Sequence, residues 1–251
     1  MRIIARLDIK NSNLIKSINF EGLKVLGNPN VFAKKYYEEG ADELIFMDLV
    51  ASLYNRNSLH DIIKRASENI FIPFTVGGGI RTIDDALKIF DSGADKIAVN
   101  TAAIKNPNLI NDLAKRFGSQ AIVVSIEAKK QNDMWEAYIE SGREHTGINV
   151  VNWVKKASDL GAGEILITSV DREGTNKGFD TELLKLITNK TNLPVIASGG
   201  FGKLNDIKEA IIDSKVDAIA IADAIHYNKF NIKDIRSEAL NLNLQVRKFN
   251  Q

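Results

Sequence analysis

The stretch Phe74-Thr75-Val76-Gly77-Gly78-Gly79-Ile80-Arg81 decides the fold, and Ile196-Ala197-Ser198-Gly199-Gly200-Phe201-Gly202-Lys203 repeats its glycines 121 positions later. Each copy follows an apolar run led by a proline and precedes an amphipathic segment. Each therefore predicts a strand that ends in glycines and opens onto a helix. Glycines at such a junction let backbone N–H groups approach an anion, and the helix N-terminus adds partial positive charge. The two stretches predict two anion-binding turns, with tight strand–helix packing as the alternative.

A wider repeat accompanies these two turns. Three further pairs of segments match in the same order along the chain: 40–48 with 161–169, 95–100 with 217–222, and 7–10 with 126–129. Self-similarity of this kind indicates repeated structural units. The chain therefore predicts two copies of one half, about residues 1–120 and 121–251, and each half carries four strand–helix units.

Strands and helices alternate strictly along the chain. The predicted strands are 2–9, 42–48, 72–76, 96–100, 121–127, 164–168, 194–197 and 217–222. The predicted helices are 30–39, 58–67, 82–91, one that starts at Pro107, 149–160, 181–188, 204–213 and 232–241. Eight such units predict an α/β fold, a (β/α)8 TIM barrel, because the two-fold repeat favours closure over an open doubly wound sheet.

Two segments interrupt this alternation. Residues 10–29 are polar and contain two glycines, and we expect a long loop there, of the kind that often covers an active site. Residues 130–147 alternate in polarity and turn at Ser141-Gly142, so we expect a hairpin between the fifth strand and the fifth helix.

Composition excludes several classes of function. Of the 251 residues, 44% are apolar and 26% charged, which suits a globular protein with a large core. A net charge of +1 argues against a basic surface for nucleic acid or membrane. There is no cysteine, and the three histidines stand at no spacing typical of a metal site. No signal peptide or membrane span is predicted, so we expect one cytoplasmic barrel domain over residues 1–251.

The strand ends at the mouth of the barrel carry the candidate chemistry. Asp8 and Glu127 occupy equivalent places on the first and fifth strands, on opposite sides of the mouth. Two opposed carboxyls suit a reaction that needs one acid and one base, provided that their surroundings separate their pKa values. The alternative is that both are ordinary solvated acids at strand ends.

The two glycine turns also face each other across the mouth. A substrate with a phosphate at each end would span them and place its middle above the two carboxyls. Asn100 and Thr101 add donors beside the first turn. Glu173 and Asp223 flank the second turn, and their carboxylates do not favour phosphate binding.

Charged residues also stand at the starts of the strands, where apolar residues are usual. Arg2, Glu43, Lys96 and Glu164 would meet at the base of the barrel as two cations and two anions. Buried charge is costly unless it is paired, so we expect a closed ring of ion pairs. The ring is either a gate to the interior or a surface cluster of salt bridges.

Taken together, these motifs resemble the cyclase subunit of imidazole glycerol phosphate synthase, a barrel of histidine biosynthesis. The resemblance covers almost the whole chain, and the segments that carry it are 2–10 (RIIARLDIK), 42–48 (DELIFMD), 74–80 (FTVGGGI), 99–103 (VNTAA), 118–120 (GSQ), 161–166 (GAGEIL), 171–175 (DREGT) and 196–200 (IASGG). This set distinguishes the family from the related isomerase barrel of the same pathway, which also takes a substrate with two phosphates.

The resemblance implies which residues act at the mouth. Asp8 and Glu127 match the two catalytic acids of the family, and Lys16 matches a lysine of its mobile first loop. The implied phosphate contacts are Gly79, Asn100 and Thr101 at one end and Glu173, Gly174, Gly200, Ala222 and Asp223 at the other, with further substrate contacts from Asp48, Thr168 and Ser198. No metal or organic cofactor is implied.

The resemblance also implies a partner at the opposite face. A glutaminase subunit would dock at the N-terminal face, near Asp95, and ammonia would pass through the ring of Arg2, Glu43, Lys96 and Glu164. At the mouth, ammonia would attack a phosphoribulosyl-formimino carboxamide ribotide, which has a phosphate at each end. Cleavage and ring closure would give imidazole glycerol phosphate and an aminoimidazole carboxamide ribotide.

Two residues depart from the pattern of the family. Glu127 replaces an aspartate, and displacing a catalytic group by about 1 Å costs about 10²-fold in rate. Asp223 replaces a serine that usually donates to phosphate, and a carboxylate there repels the dianion. These departures leave open a paralogue that conducts ammonia from a glutaminase to a separate sugar amidotransferase for surface polysaccharides. A third hypothesis is a barrel enzyme that acts on another metabolite with two phosphates.

Overall fold

The computed structural model describes residues 1–51 and 59–249, and all statements on the structure refer to these residues. The strands are β1 (Arg2–Lys10), β2 (Asn13–Ile18), β3 (Glu21–Gly27), β4 (Glu43–Asp48), β5 (Phe74–Gly77), β6 (Lys96–Val99), β7 (Ile122–Gln131), β8 (Met134–Ile139), β9 (Glu144–Asn149), β10 (Glu164–Ser169), β11 (Val195–Ser198) and β12 (Ala218–Ile221).

Eight of these strands close a parallel barrel. Its order around the axis is β1, β4, β5, β6, β7, β10, β11 and β12, and the barrel closes where β12 pairs with β1 at Arg2 and Ala218. Each predicted strand coincides with one of these eight, so the expected (β/α)8 barrel is confirmed. Repeat-related aspartates hold the strand starts together: Asp95 accepts from the backbone N–H of Phe74 at 2.8 Å, and Asp217 from that of Val195 at 2.9 Å.

The helices lie between the barrel strands. They are α1 (Pro29–Glu38), α2 (His60–Ser67), α3 (Ile83–Asp91), α4 (Thr101–Lys105), α5 (Asn108–Phe117), α6 (Val150–Asp159), α7 (Thr181–Thr188), α8 (Asp206–Lys208), α9 (Asp223–His226) and α10 (Ile232–Asn241). The predicted start of the second helix, Ser58, lies outside the described residues. In the whole described chain no helix is both long and apolar enough to cross a membrane.

Local chemistry explains most of these boundaries, and it corrects two predictions. Thr82 and Asp85 form a reciprocal capping box that fixes the start of α3. The predicted helix at Pro107 begins one residue later, because Pro107 takes the capping position before Asn108. The predicted helix over 204–213 is interrupted: α8 is followed by a π-helical segment, Glu209–Asp213, and not by a continuous α-helix.

The prediction of a long loop at residues 10–29 is wrong. β1 continues into an antiparallel hairpin of β2 and β3, with Asp8 opposite Ile15 and Lys16 opposite Lys24. In β2, consecutive residues are buried instead of alternate ones. The alternation of apolar and polar residues that predicts a strand is therefore absent from this segment. The second hairpin, β8 and β9, confirms the prediction for 130–147 and continues from β7 in the same way.

Alternate residues of each barrel strand point into the interior. On β1 these are Arg2, Ile4, Arg6 and Asp8, from base to mouth. The middle of the interior is apolar and holds the buried side chains of Ile4, Ile45, Ala98, Val123, Leu166, Ile196 and Ala218. The interior is therefore polar at the base, apolar in the middle and polar again below the mouth.

Candidate active site

Asp8 lies fully buried near the C-terminal end of β1. Its Oδ1 accepts a hydrogen bond from Nε of Arg6 at 2.8 Å, and the ammonium of Lys16 lies 3.8 Å from Oδ2. Burial alone would raise the pKa of Asp8, but the two cations outweigh it and hold this pKa below its ordinary value. Within the described residues Oδ2 accepts no hydrogen bond. Asp8 is therefore a carboxylate whose second oxygen faces the Lys16 ammonium without a hydrogen bond between them.

Glu127 stands at the equivalent place on β7 in a different environment. Its Oε2 accepts a hydrogen bond from the backbone N–H of Gly142 at 2.8 Å, at the turn between β8 and β9. Burial raises the pKa of Glu127 to about 7, because the backbone donor and the more distant Arg6 only partly offset the cost of ionisation. The surroundings of the two carboxyls thus differ in the sense that an acid–base pair requires.

A cavity of about 240 Å³ opens beside the first glycine turn. Among the residues around it are Asp48, Gly78, Gly79, Asn100, Thr101, Lys105, Ser125, Glu127, Glu140 and Ser141. Gly78 has a φ of 102°, and a Cβ there would overlap the carbonyl oxygen of Asp48, so only glycine fits this turn. The structure therefore brings the predicted residues of the first phosphate end together with Glu127.

Some side chains at this first end already have partners. The amide Nδ2 of Asn100 donates to the carbonyl oxygen of Tyr138 at 3.1 Å, and Oγ1 of Thr101 accepts from the backbone N–H of Glu140 at 3.1 Å. Asn100 precedes the short helix α4 with φ −133° and ψ −86°, and Ala222 precedes α9 with φ −129° and ψ −78°. The two halves therefore repeat the same backbone turn after their fourth strand.

The second end is smaller and more acidic. Its cavity holds about 20 Å³, room for little more than a water molecule, and it is lined by Glu173, Gly174, Ser198, Gly200, Ala222 and Asp223 among others. The buried carboxylate of Glu173 pairs with Lys16, and Oδ1 of Asp223 lies 3.2 Å from Nζ of Lys229. Both carboxylates that would repel a phosphate are thus paired with lysines.

The tips of the two hairpins meet over the mouth. Phe20, between β2 and β3, is buried, and a Cβ at Gly142 would lie 3.3 Å from its ring. The same ring lies over the guanidinium of Arg6 at 5.7 Å. Asn19 anchors this tip through its backbone N–H, which donates to the carbonyl oxygen of Glu173 at 2.8 Å. The first hairpin therefore covers Asp8 and separates the two cavities.

The expected ring of charges is present at the base. Arg2 pairs with Glu43 at 2.9 Å and also with Glu164, while Lys96 lies 3.3 Å from Glu43 and 2.9 Å from Glu164. The hydroxyl of Thr75 donates to Glu43 at 2.6 Å. The two glutamates are buried and the two cations reach solvent, so the ring closes the interior at the N-terminal face.

Arg6 is the site residue that the sequence analysis missed. Its guanidinium contacts three of the predicted residues, Asp8, Thr168 and Ser198, although it is itself only 2% exposed. The sequence did contain one signal. Arg2, Arg6 and Asp8 are separated by even numbers of residues on β1, so their side chains point to the same face of the strand. Within residues 1–51 and 59–249, no group of histidines, aspartates and glutamates could hold a metal ion.

Most of this chain matches a known protein family. The profile of a family described as histidine biosynthesis protein matches residues 2–231. The chain belongs to this family. The matched residues of this chain run from the start of β1 to the residue before α10, and they include both carboxyls at the mouth and the four charged residues at the base.

Individual relatives narrow the assignment within the family. The imidazole glycerol phosphate synthase subunit HisF of Legionella pneumophila is 60% identical over 207 residues, which cover 82% of this chain and 98% of that protein. The HisF subunits of Alkaliphilus metalliredigens (strain QYMF) and Lactococcus lactis subsp. lactis (strain IL1403) are 44% and 46% identical, each over 248 residues or 98% of this chain, and over 98% and 96% of their own lengths. The chain is a HisF-type member, and these names do not favour an ammonia conduit for a sugar amidotransferase.

Proposed function

We propose that this chain is the cyclase subunit of an imidazole glycerol phosphate synthase. It takes ammonia from a glutaminase partner and converts a phosphoribulosyl-formimino carboxamide ribotide to imidazole glycerol phosphate and an aminoimidazole carboxamide ribotide. One observation carries the proposal: the repeat-related carboxyls Asp8 and Glu127 stand at the barrel mouth, where a cation holds Asp8 and Glu127 is buried with no cation partner among the described residues, so that their pKa values shift in opposite directions. The HisF relatives support the same reaction.

The two carboxyls divide the proton transfers. Ammonia adds to the ketone carbon of the ribulosyl unit, and the carbonyl oxygen leaves as water after protonation. Glu127, whose pKa is raised by burial to about 7, serves as the acid for this step. Asp8 is the base that removes a proton from the added nitrogen. The added nitrogen then bonds to the formimino carbon, and the bond from that carbon to the ribotide nitrogen breaks. The ribotide nitrogen takes up the two protons that the added nitrogen and C1 of the ribulosyl unit give up, so that the imidazole ring forms and the aminoimidazole carboxamide ribotide departs as an amine.

The substrate would span the mouth between the two glycine turns. One phosphate would lie against Gly79, Asn100 and Thr101, where the 240 Å³ cavity provides room. The other would lie against Gly174, Gly200 and Ala222, where an enclosed pocket of about 20 Å³ adjoins an open cleft of about 860 Å³ that Gly174 also lines. Lys16, which lines this cleft from the hairpin of β2 and β3, would exchange Glu173 for the substrate. Asp48, Thr168 and Ser198 face the middle of the mouth.

The partner would bind at the opposite face. Arg2, Glu43, Lys96 and Glu164 close the base with no net charge, so a small neutral molecule could pass when one ion pair opens. Asp95 is exposed beside this ring and would contact the glutaminase. We place the chain in the cytoplasm, together with the biosynthetic reactions of its relatives.

Turnover of the ribotide by this chain alone tests the proposal. An ammonium salt at high pH supplies ammonia, so no glutaminase is needed. We expect turnover at an ordinary enzyme rate for the native chain and for Asp213→Asn, a control at an exposed aspartate far from the mouth. A folded chain that consumes no ribotide would contradict the proposal. If that chain still bound a glutaminase, it would conduct ammonia to another acceptor.

A further inference from the structure

A buried arginine inside the barrel lies directly below Asp8. Arg6 donates from Nε to Oδ1 of Asp8 at 2.8 Å, and one terminal nitrogen donates to Oγ1 of Thr168 at 2.9 Å and to Oγ of Ser198 at 3.1 Å. Its side chain starts on β1 and reaches β10 and β11 across the interior. Phe20 covers the guanidinium on the side of the mouth. A buried guanidinium is costly, so this set of partners requires an explanation.

The repeat shows what Arg6 changes. Asp8 and Glu127 are equivalent, and the residue two positions earlier is Arg6 in the first half and Ser125 in the second. The side chain of Ser125 lines the 240 Å³ cavity and brings no charge. The carboxyl of the first half therefore has a cation on its own strand, whereas the carboxyl of the second half has only a backbone N–H.

The net charge of the buried groups around Asp8 also favours an ionised Asp8 and a protonated Glu127. Four buried groups form one cluster below and beside the first hairpin: the cations Arg6 and Lys16 and the anions Asp8 and Glu173. This cluster is neutral as it stands. An ionised Glu127 in addition would leave a net negative charge in a buried region, which favours a proton on Glu127.

We propose that Arg6 is a positioning residue that assigns the two acids their roles: it fixes Asp8 as the permanent base and thereby leaves Glu127 as the acid. This inference rests on the proposed cyclase function. The planar fork of the guanidinium, fixed by Thr168 and Ser198, also holds Asp8 in one orientation through the hydrogen bond from Nε to Oδ1. A lysine at position 6 would supply the charge without the fork.

Other charged groups also face Asp8 and are part of the test. Lys16 approaches from β2, Glu173 from the segment after β10, and Glu127 from β7. His226, on α9, is buried beside Tyr36, and burial lowers its pKa to about 3, so it stays neutral. Arg6 is thus the cation that contacts Asp8 from the same barrel strand, whereas Lys16 belongs to the hairpin of β2 and β3.

The first experiment follows the carboxyls directly in the native chain. Aspartate and glutamate carboxyl carbons are labelled with ¹³C, and their NMR shifts are recorded from about pH 5 to about pH 9. Asp8→Asn and Glu127→Gln assign the two signals. We expect the Asp8 signal to stay that of a carboxylate throughout, while Glu127 titrates. A titration of Asp8 within this range would overturn the proposal. No Arg6 variant is needed for this result.

The second experiment measures turnover with ammonium salts, as kcat at a fixed concentration of free ammonia. For Arg6→Met, we expect kcat to fall about 10²-fold and the acidic limb of its pH profile to move to higher pH. Arg6→Lys should restore the position of this limb but only part of kcat, and KM should change little. Arg116→Met, at an exposed arginine, is the control.

The outcomes are distinct from those of the proposed function. A loss of kcat in Arg6→Met that is equal at every pH, with no recovery in Arg6→Lys, would mean a purely structural role and would overturn the inference. A native chain that never turns over the ribotide would contradict the cyclase function instead. In that case the ¹³C titration, repeated on Arg6→Met, still decides whether Arg6 sets the ionisation of Asp8.

Discussion

Glu127 accepts a hydrogen bond from the backbone N–H of Gly142, a donor that belongs to the tip of the second hairpin. The carboxyl that we assign as the acid is thus held by the segment that covers the mouth. Its repeat-equivalent, Asp8, is held by a side chain of its own strand. The two carboxyls therefore differ in the donor that holds them: a backbone N–H for Glu127 and a charged guanidinium for Asp8.

Stability should depend on pH through Glu127. Its pKa is about 7 in the folded chain against 4.5 ordinarily, so its contribution is fully present below pH 4.5 and is lost as pH rises through about 7. Glu127→Gln, which cannot ionise, should therefore be more stable than the native chain at pH 8, by up to about 3 kcal/mol, and similar at pH 4.5. Urea unfolding at both pH values measures this, with the exposed Glu68→Gln as control. Equal stability of Glu127→Gln and native chain at pH 8 would contradict it.

Asp8→Asn should abolish cyclase turnover and leave partner binding intact. Removing the base costs about 10²- to 10⁴-fold in kcat. Asp8 is buried at the mouth, and the proposed docking face is at the other end of the barrel. Ribotide turnover with ammonium salts and titration with the glutaminase measure the two properties, and a thermal melt confirms that the variant folds. A variant that turned over the ribotide normally would refute the acid–base assignment.

Asp223→Ser should improve substrate binding. The carboxylate of Asp223 lines the second cavity and pairs with Lys229 at 3.2 Å. A serine would remove the repulsion and add a donor for phosphate. We expect KM for the ribotide to fall about tenfold, which corresponds to about 1.4 kcal/mol, with little change in kcat. Asp213→Ser serves as the control, and an unchanged or higher KM in Asp223→Ser would mean that no phosphate binds there.

Phe20→Ala should loosen the first hairpin. The ring is 2% exposed and packs between Arg6 and the tip of the second hairpin, so its removal should cost about 3–5 kcal/mol. Hydrogen exchange should become faster in β2 and β3 while the amides of the barrel strands stay protected. Phe71, which is 78% exposed, offers a matched control, and Phe71→Ala should change stability by less than about 0.5 kcal/mol. Unchanged exchange in β2 of Phe20→Ala would show that the ring does not hold the hairpin.

Lys96→Met should lower turnover that uses ammonia from glutamine and leave turnover with ammonium salt unchanged. The change leaves Glu43 and Glu164 with Arg2 as their only cation in the ring and alters the closure of the base. We expect glutamine-driven turnover of the complex to fall about tenfold, within the usual range of coupling between sites. Turnover by the chain with added ammonium salt should not change, because Lys96 is remote from the mouth. Lys115→Met is the exposed control, and equal losses with both nitrogen sources would argue against a gate.

The repeated sequence predicted the barrel correctly because strand–glycine–helix units and paired segments are local signals. The paired positions of Asp8 and Glu127, and of Glu43 and Glu164, followed from the same repeat. The hairpin at residues 10–29 was not predicted, because Leu14, Ile15 and Lys16 are buried in succession. Some of these side chains contact residues from distant parts of the chain, as Lys16 does with Glu173. No local periodicity records such contacts.

Arg6 escaped for a related reason. A charged residue in a strand is usually exposed, and only the closure of the barrel shows that Arg6 shares the interior with Asp8, Thr168 and Ser198. The environment of Asp223 was also hidden, because Lys229 lies six residues further on and meets it only after the turn of α9. The catalytic roles of these residues, and the extent of the single domain, stay predictions.

The paired hairpins have a consequence for how such a barrel diverges after a duplication. Two identical halves would have given both carboxyls the same neighbours and hence the same affinity for a proton. Neither carboxyl would then be better suited than the other to act as acid or as base. A substitution on a barrel strand, at the position held by Arg6 and Ser125, gives the two carboxyls different neighbours. The covering segments could then change independently, since each carboxyl meets mainly the hairpin of its own half.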